Sequence, residues 1–155
     1  MKNIKCGVFA SALLLCTGAV AAAEAVNQGE LAQPEDYRQL VEMPAQAQQL
    51  MRKDMQDHLA ALSEVLGYLV NQDFALAAEV AEKRMGKSSM GKHRETGMGP
   101  GRVMPLEMRQ IGWGMHEAAS DFAESAKSGD QNKIYASLQK VMSSCTACHL
   151  SYRTR

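Results

Sequence analysis

Four stretches of this chain repeat apolar residues at helical spacing, and no segment shows the alternation of a strand bounded by turns. In the first, Met51, Met55, Leu59, Leu62, Leu66 and Leu69 advance by threes and fours to about Asn71, with Pro44 placed for a first turn. At 1.5 Å per residue such a helix is roughly 40 Å long. Asp73 is positioned to cap a second, shorter helix carrying Phe74, Ala77, Ala78, Ala81 and Met85, which stops at Gly86. Pro105 opens a third, with Met108, Ile111, Met115, Ala118 or Ala119, and Phe122 on one face. Gly129 and Asp130 break and re-cap the chain before a fourth, whose stripe is Ile134, Leu138, Val141, Cys145, Cys148 and Tyr152. These stretches predict an all-α fold, an antiparallel four-helix bundle sharing one apolar interior. Cys145 and Cys148 fall on the inward stripe of the last helix, so whatever they bind sits inside the bundle.

At 155 residues the chain has the length of one domain. Its start reads as something else. Lys2 and Lys5 form a basic region, Gly7 to Gly18 is apolar, and Ala21, Ala22 and Ala23 supply the small residues of a cleavage site. Residues 1–23 are therefore predicted to be a secretory signal peptide cut after Ala23, with a cut after Ala25 as the near alternative. Cys16 raises a lipoprotein reading that the bulky Leu15 before it disfavours. Residues 24–43 form a polar leader and 44–155 the bundle. No second apolar stretch is long enough to span a bilayer, which predicts an exported, periplasmic protein that does not span the membrane. With 17 basic and 17 acidic residues and no basic block, the chain is not built for nucleic acid.

The segment from Lys87 to Met104, KSSMGKHRETGMGPGRVM, stands apart, with four glycines, a proline, three methionines and His93. A loop of this length in a small domain is unusual. Its composition predicts a solvated, weakly packed and mobile crossover.

Signal cleavage removes Cys6 and Cys16, leaving Cys145 and Cys148 as the mature chain's thiols, with His149 directly after them. In an oxidising compartment a bare pair tends to close into a disulfide, so it needs a redox role or a permanent partner. Zinc wants four ligands, and Cys145, Cys148 and His149 supply three; His58, His93 and His116 have no paired-ligand spacing. A thioredoxin-like switch wants its Cys-x-x-Cys at a helix N-terminus, whereas this one ends a helix. Haem satisfies every element. Cys-x-x-Cys-His is the c-type attachment sequence, in which two thiols form thioethers and the adjacent imidazole turns to the iron.

The chain here resembles the class II c-type cytochromes, the family of cytochrome c prime and its low-spin relatives. The resemblance rests on the C-terminal position of the motif and its extension, Cys145-Thr-Ala-Cys148-His149-Leu-Ser-Tyr152-Arg153. It implies one covalently attached haem c, with Cys145 and Cys148 as attachment points and His149 as proximal iron ligand. It also implies a place for Arg153, one helical turn on, beside that imidazole. The family divides at the sixth iron position. Cytochromes c prime leave it empty and bind small gases, whereas low-spin members put a methionine there and carry electrons. Met55 best matches the distal place, counting back from Phe74, and Met51, a turn away, is the alternative; His58 is a less suitable third. Trp113 and Met108 resemble the family's wall against the porphyrin, with Trp113 displaced from the usual position.

The expected function is that of a periplasmic monohaem cytochrome carrying single electrons through low-spin, His/Met-ligated iron, and not of an enzyme. The alternative is a five-coordinate, gas-binding protein like cytochrome c prime. A third reading is copper binding through the thioethers and His93 of the loop. The partners implied are redox proteins of unidentified kind, and the resemblance adds homodimer pairing through the first two helices.

Overall fold

The computed structural model describes residues 35–155; the expected signal peptide, both cleavage positions and most of the leader lie outside the described residues. Four helices carry the chain: α1 (Ala45–Val70), α2 (Phe74–Arg84), α3 (Leu106–Lys127) and α4 (Gln131–Ser151). Their limits sit on residues that start or stop helices. Pro44 and Pro105 stand immediately before α1 and α3, where a missing N–H costs nothing. Asp130 caps α4, its side chain accepting a 3.2 Å hydrogen bond from the Lys133 amide. Gly129 makes the preceding turn at φ 71°, a backbone region that disfavours any side chain. Asp73 occupies the cap position of α2 but makes no side-chain capping bond there. Asp130→Ala should therefore lower stability by about 1 kcal/mol, read as a shift in the denaturant midpoint, whereas Asp73→Ala should shift it far less.

Short turns fold α2 back on α1 and α4 back on α3, and α1 packs on α2, α2 on α3 and α3 on α4. The four-helix, all-α architecture expected from the apolar spacing is thus the one observed. The core is built largely of alanine at the helix contacts: Ala61, Ala77, Ala81, Ala119 and Ala126 have essentially no exposed surface. Small residues let the backbones approach, and Phe122, Met85, Ile134, Val65 and Val141 fill what remains. Phe122→Ala should destabilise the bundle by about 3–5 kcal/mol in an unfolding titration, since nothing around it is free to collapse into the space.

The buried face of α1 differs from the expected stripe. His58, Ala61, Leu62, Val65 and Leu69 are buried, whereas Leu59 and Leu66 face outward. Both stripes have helical spacing and share Leu62 and Leu69, the observed one being turned toward Ala61 and Val65. The close approach of α2 selects the one that carries the small residues.

No comparable length of backbone contact joins α1 to α4. The bundle therefore has a seam there, and the two chain ends close over it. Strand β1 (Gln39–Val41) pairs in parallel with β2 (Tyr152–Thr154), Gln39 opposite Tyr152 and Val41 opposite Thr154. Met43 N donates to Arg155 O at 3.1 Å, and Arg155 N to Val41 O at 3.3 Å. Part of the polar leader is thus an integral strand. Below it Val41, Met43, Ala47 and Met108 form a second apolar cluster, on which Met51, Met104, Cys148 and Tyr152 pack.

This pairing corrects the expected course of α4, which stops at Ser151 instead of running through Tyr152. Arg153 lies in a strand, so it is not one helical turn from His149. The backbone leaves the helix because β1 offers it hydrogen-bond partners, a long-range competitor with no local trace.

The loop after α2 is more firmly fastened than its glycines suggest. It contains three single 3₁₀ turns, Lys87–Ser89, Arg94–Thr96 and Pro100–Arg102, with Pro100 buried. Glu82 accepts from the Ser88 amide at 3.0 Å and from the Ser120 hydroxyl at 2.5 Å, and the Lys87 amide donates to Ser120 Oγ at 2.9 Å. Farther along, Asp54 of α1 meets His93 Nε2 and Lys92 Nζ, each at 2.9 Å. These contacts fasten the crossover to the bundle as a strap. No helix among the described residues is long and apolar enough to cross a membrane.

Candidate functional site

The last turns of α4 bring Cys148 to the seam and hold Cys145, a turn earlier, against the main core, both half-buried. Burial pushes both thiols above their ordinary pKa, and Cys145 adds to the shift at Cys148. A redox-active pair needs the opposite, a stabilised thiolate, so the environment disfavours a disulfide switch. Zinc is disfavoured as well, because no three His, Cys, Asp or Glu side chains among the described residues could share an ion. His93, the imidazole of the copper reading, is hydrogen-bonded to Asp54.

Cys148 and His149 open on a hollow of about 420 Å³, within the range of small-molecule sites. Gln48, Met51, Arg52 and Met55 of α1 form its far wall, Met108 and Gly112 of α3 its floor, and Tyr152 and Arg153 its rim. The structure thus brings together Cys148, His149, Met51, Met55 and Arg153, with Cys145 a turn back on the same stripe. Met55 is 37% exposed, Met51 half-buried and His149 exposed, so these side chains are not packed away as core. Arg153 Nε is buried and without a hydrogen-bond partner, 3.5 Å from the Asp36 carboxylate. The Asp36 carboxyl itself is held down to about 2, chiefly by its hydrogen bond from Arg38.

A second hollow, of about 520 Å³, lies under the loop. Met51, Met55, Met104 and Gly112 line both hollows, so the two adjoin across them. Trp113, His58 and His116 line the second only, which places the tryptophan there and sets His58 away from the space His149 faces. His58 is buried on α1, edge-on to the His116 ring with centroids 6.0 Å apart, and burial lowers its pKa to about 4. A histidine near 6.5 when unfolded and near 4 when folded binds its proton more weakly in the native state. Its contribution is complete above about pH 6.5 and is lost as pH falls toward 4. In the haem-free protein this loss should be on the order of 3 kcal/mol, and His58→Gln should flatten that part of the stability–pH curve.

Three contributors escaped the sequence reading. Met104 closes the loop onto both hollows. Arg109 lines the second hollow, its guanidinium 5.9 Å over the Trp113 ring. Gly112 stands in mid-helix, where glycine costs about 1 kcal/mol relative to alanine, and no atom lies within 4 Å of where its Cβ would be. A helical glycine facing open space was the one visible signal.

These features suit c-type haem. One thiol and the adjoining imidazole border the hollow, the second thiol lies a turn back on the same stripe, thioethers stand on the opposite wall, and a missing side chain leaves room between. No curated protein and no solved structure gives a significant match to the chain. A family model does: that of Cytochrome C' matches residues 106–153, the span from the start of α3 to Arg153. Over these two helices, the second of which ends in the Cys-x-x-Cys-His sequence, the chain is similar to the cytochrome C' family, whose members carry covalently attached haem c with its iron.

Proposed function

We propose that the protein is a periplasmic carrier of single electrons, with Cys145 and Cys148 holding haem c, His149 as one axial ligand and Met55 as the other. When bound, haem c supplies an iron that gains and loses one electron. The observation that carries the reading is that Met55 and Met51 line the same hollow as Cys148 and His149. A thioether opposite an imidazole favours reduced iron and raises its potential. Attachment on α4 and ligation from α1 would also tie together two helices that share little direct contact. The β1–β2 pair holds α4's end against the segment entering α1. The cytochrome C' family consists of haem proteins that are typically periplasmic, which supports the location.

The hollow beyond Met55 favours a second reading, a five-coordinate haem that binds small gases there. The visible spectrum of the reduced protein, before and after carbon monoxide, separates the two. A low-spin spectrum unchanged by the gas supports the carrier. A high-spin spectrum with immediate carbon monoxide binding replaces it with the gas-binding protein.

A further inference from the structure

The hollow under the loop carries more positive charge than the chain offsets. Lys92, Arg94, Arg102 and Arg109 line it, and Asp54 is its one acidic residue. Asp54 is already engaged, by Lys92 and His93. None of the ion pairs among the described residues involves Arg94, Arg102 or Arg109. Arg109 is the most constrained of the three. Its Nε is buried without a hydrogen-bond partner, and the Trp113 ring lies under its guanidinium. Leaving a charged donor buried and unsatisfied costs more than leaving a neutral one, so such a group implies an acceptor. A guanidinium fork matches the two oxygens of a carboxylate or another oxyanion.

We infer that this hollow is an oxyanion site centred on Arg109, with Arg102 and Arg94 of the loop completing its positive wall. The oxyanion has two available sources: a carboxylate of the haem itself, reaching past Met55 and Gly112 from the adjoining hollow, or a small free anion. The inference rests on haem attachment at Cys145 and Cys148 and is independent of which residue is the sixth ligand. It also gives the loop a role, since the strap would close one side of the site.

The test uses holoprotein of the wild type, Arg109→Gln, Arg109→Lys and Arg102→Gln. Three properties are read: the infrared difference spectrum between oxidised and reduced forms, the reduction potential, and the visible spectrum during a sulfate titration. A haem carboxylate on Arg109 predicts shifted carboxylate bands and a lowered potential in Arg109→Gln, a smaller shift in Arg102→Gln, recovery in Arg109→Lys, and indifference to sulfate. A free oxyanion predicts a saturable sulfate response in the wild type that Arg109→Gln loses, with carboxylate bands unmoved. Wild-type bands and potential in Arg109→Gln and Arg102→Gln, together with no sulfate response in any protein, overturn the inference. Spin state, visible in the same samples, reports separately on the axial ligand.

Discussion

Met55→Ala should abolish the methionine-to-iron charge-transfer band of the oxidised protein, turn the reduced haem high-spin and open it to carbon monoxide. The potential should fall with it, because the lost thioether favours reduced iron. Met55 is 37% exposed and borders both hollows, so its removal leaves the bundle core intact. The change should therefore appear in the spectrum far more than in the unfolding curve. Met51→Ala is the matched control. Met51 packs on the cluster of Val41, Met43, Ala47 and Met108, and its loss should cost about 2 kcal/mol or less while sparing the band. Absorption spectra of the two variants decide between them. Loss of the band in Met51→Ala alone moves the ligand one turn along α1 and leaves the carrier role standing.

Gly112→Phe should prevent haem from being incorporated while leaving the fold in place. Gly112 borders both hollows, and a Cβ there meets no atom within 4 Å. A phenyl ring there would enter the space that the two hollows share. Glycine is also the poorer helix former, so α3 does not suffer from the change. Circular dichroism should report a normal helix content and the visible spectrum little haem. Gly112→Ala should keep haem and gain about 1 kcal/mol of stability. Gly114 also has open space around its Cβ position but lines neither hollow, and Gly114→Ala should leave haem content unchanged. Full haem content in Gly112→Phe would mean that the porphyrin does not pass this side of α3.

The bundle, and the Cys-x-x-Cys-His cluster that the proposal takes as the haem attachment, were legible because both are local signals. Helical spacing ran through Met108, Met115 and Phe122 and through Ile134, Leu138 and Val141, and all six are buried. Cys145, Cys148 and His149 needed only their spacing. The face of α1 was less legible, because large side chains dominate a reading of periodicity. Leu59 and Leu66 outweighed Ala61 and Val65 on paper, yet close helix packing buries the smaller pair. Strand β2 was not legible at all. Tyr152, Arg153 and Thr154 leave the helix to pair with Gln39, Leu40 and Val41 from the far end of the chain. The loop misled in the opposite sense. Its glycines suggested slack, while Glu82, Ser120 and Asp54, each on a different helix, hold it down. Arg109 carries no local sequence signal; only its buried nitrogen without a partner marks it.

Cys145 and Cys148 either hold haem through thioether bonds or they do not, and the mass of the unfolded mature protein distinguishes the two. Protein denatured in acid and extracted with organic solvent should keep both its colour and the added mass of one haem. Replacing either cysteine with serine should leave a single bond to the haem, and replacing both should release it entirely. Complete loss of porphyrin to the solvent from the unmutated protein would contradict attachment at Cys145 and Cys148, and with it the account of the seam between α1 and α4 as a haem site.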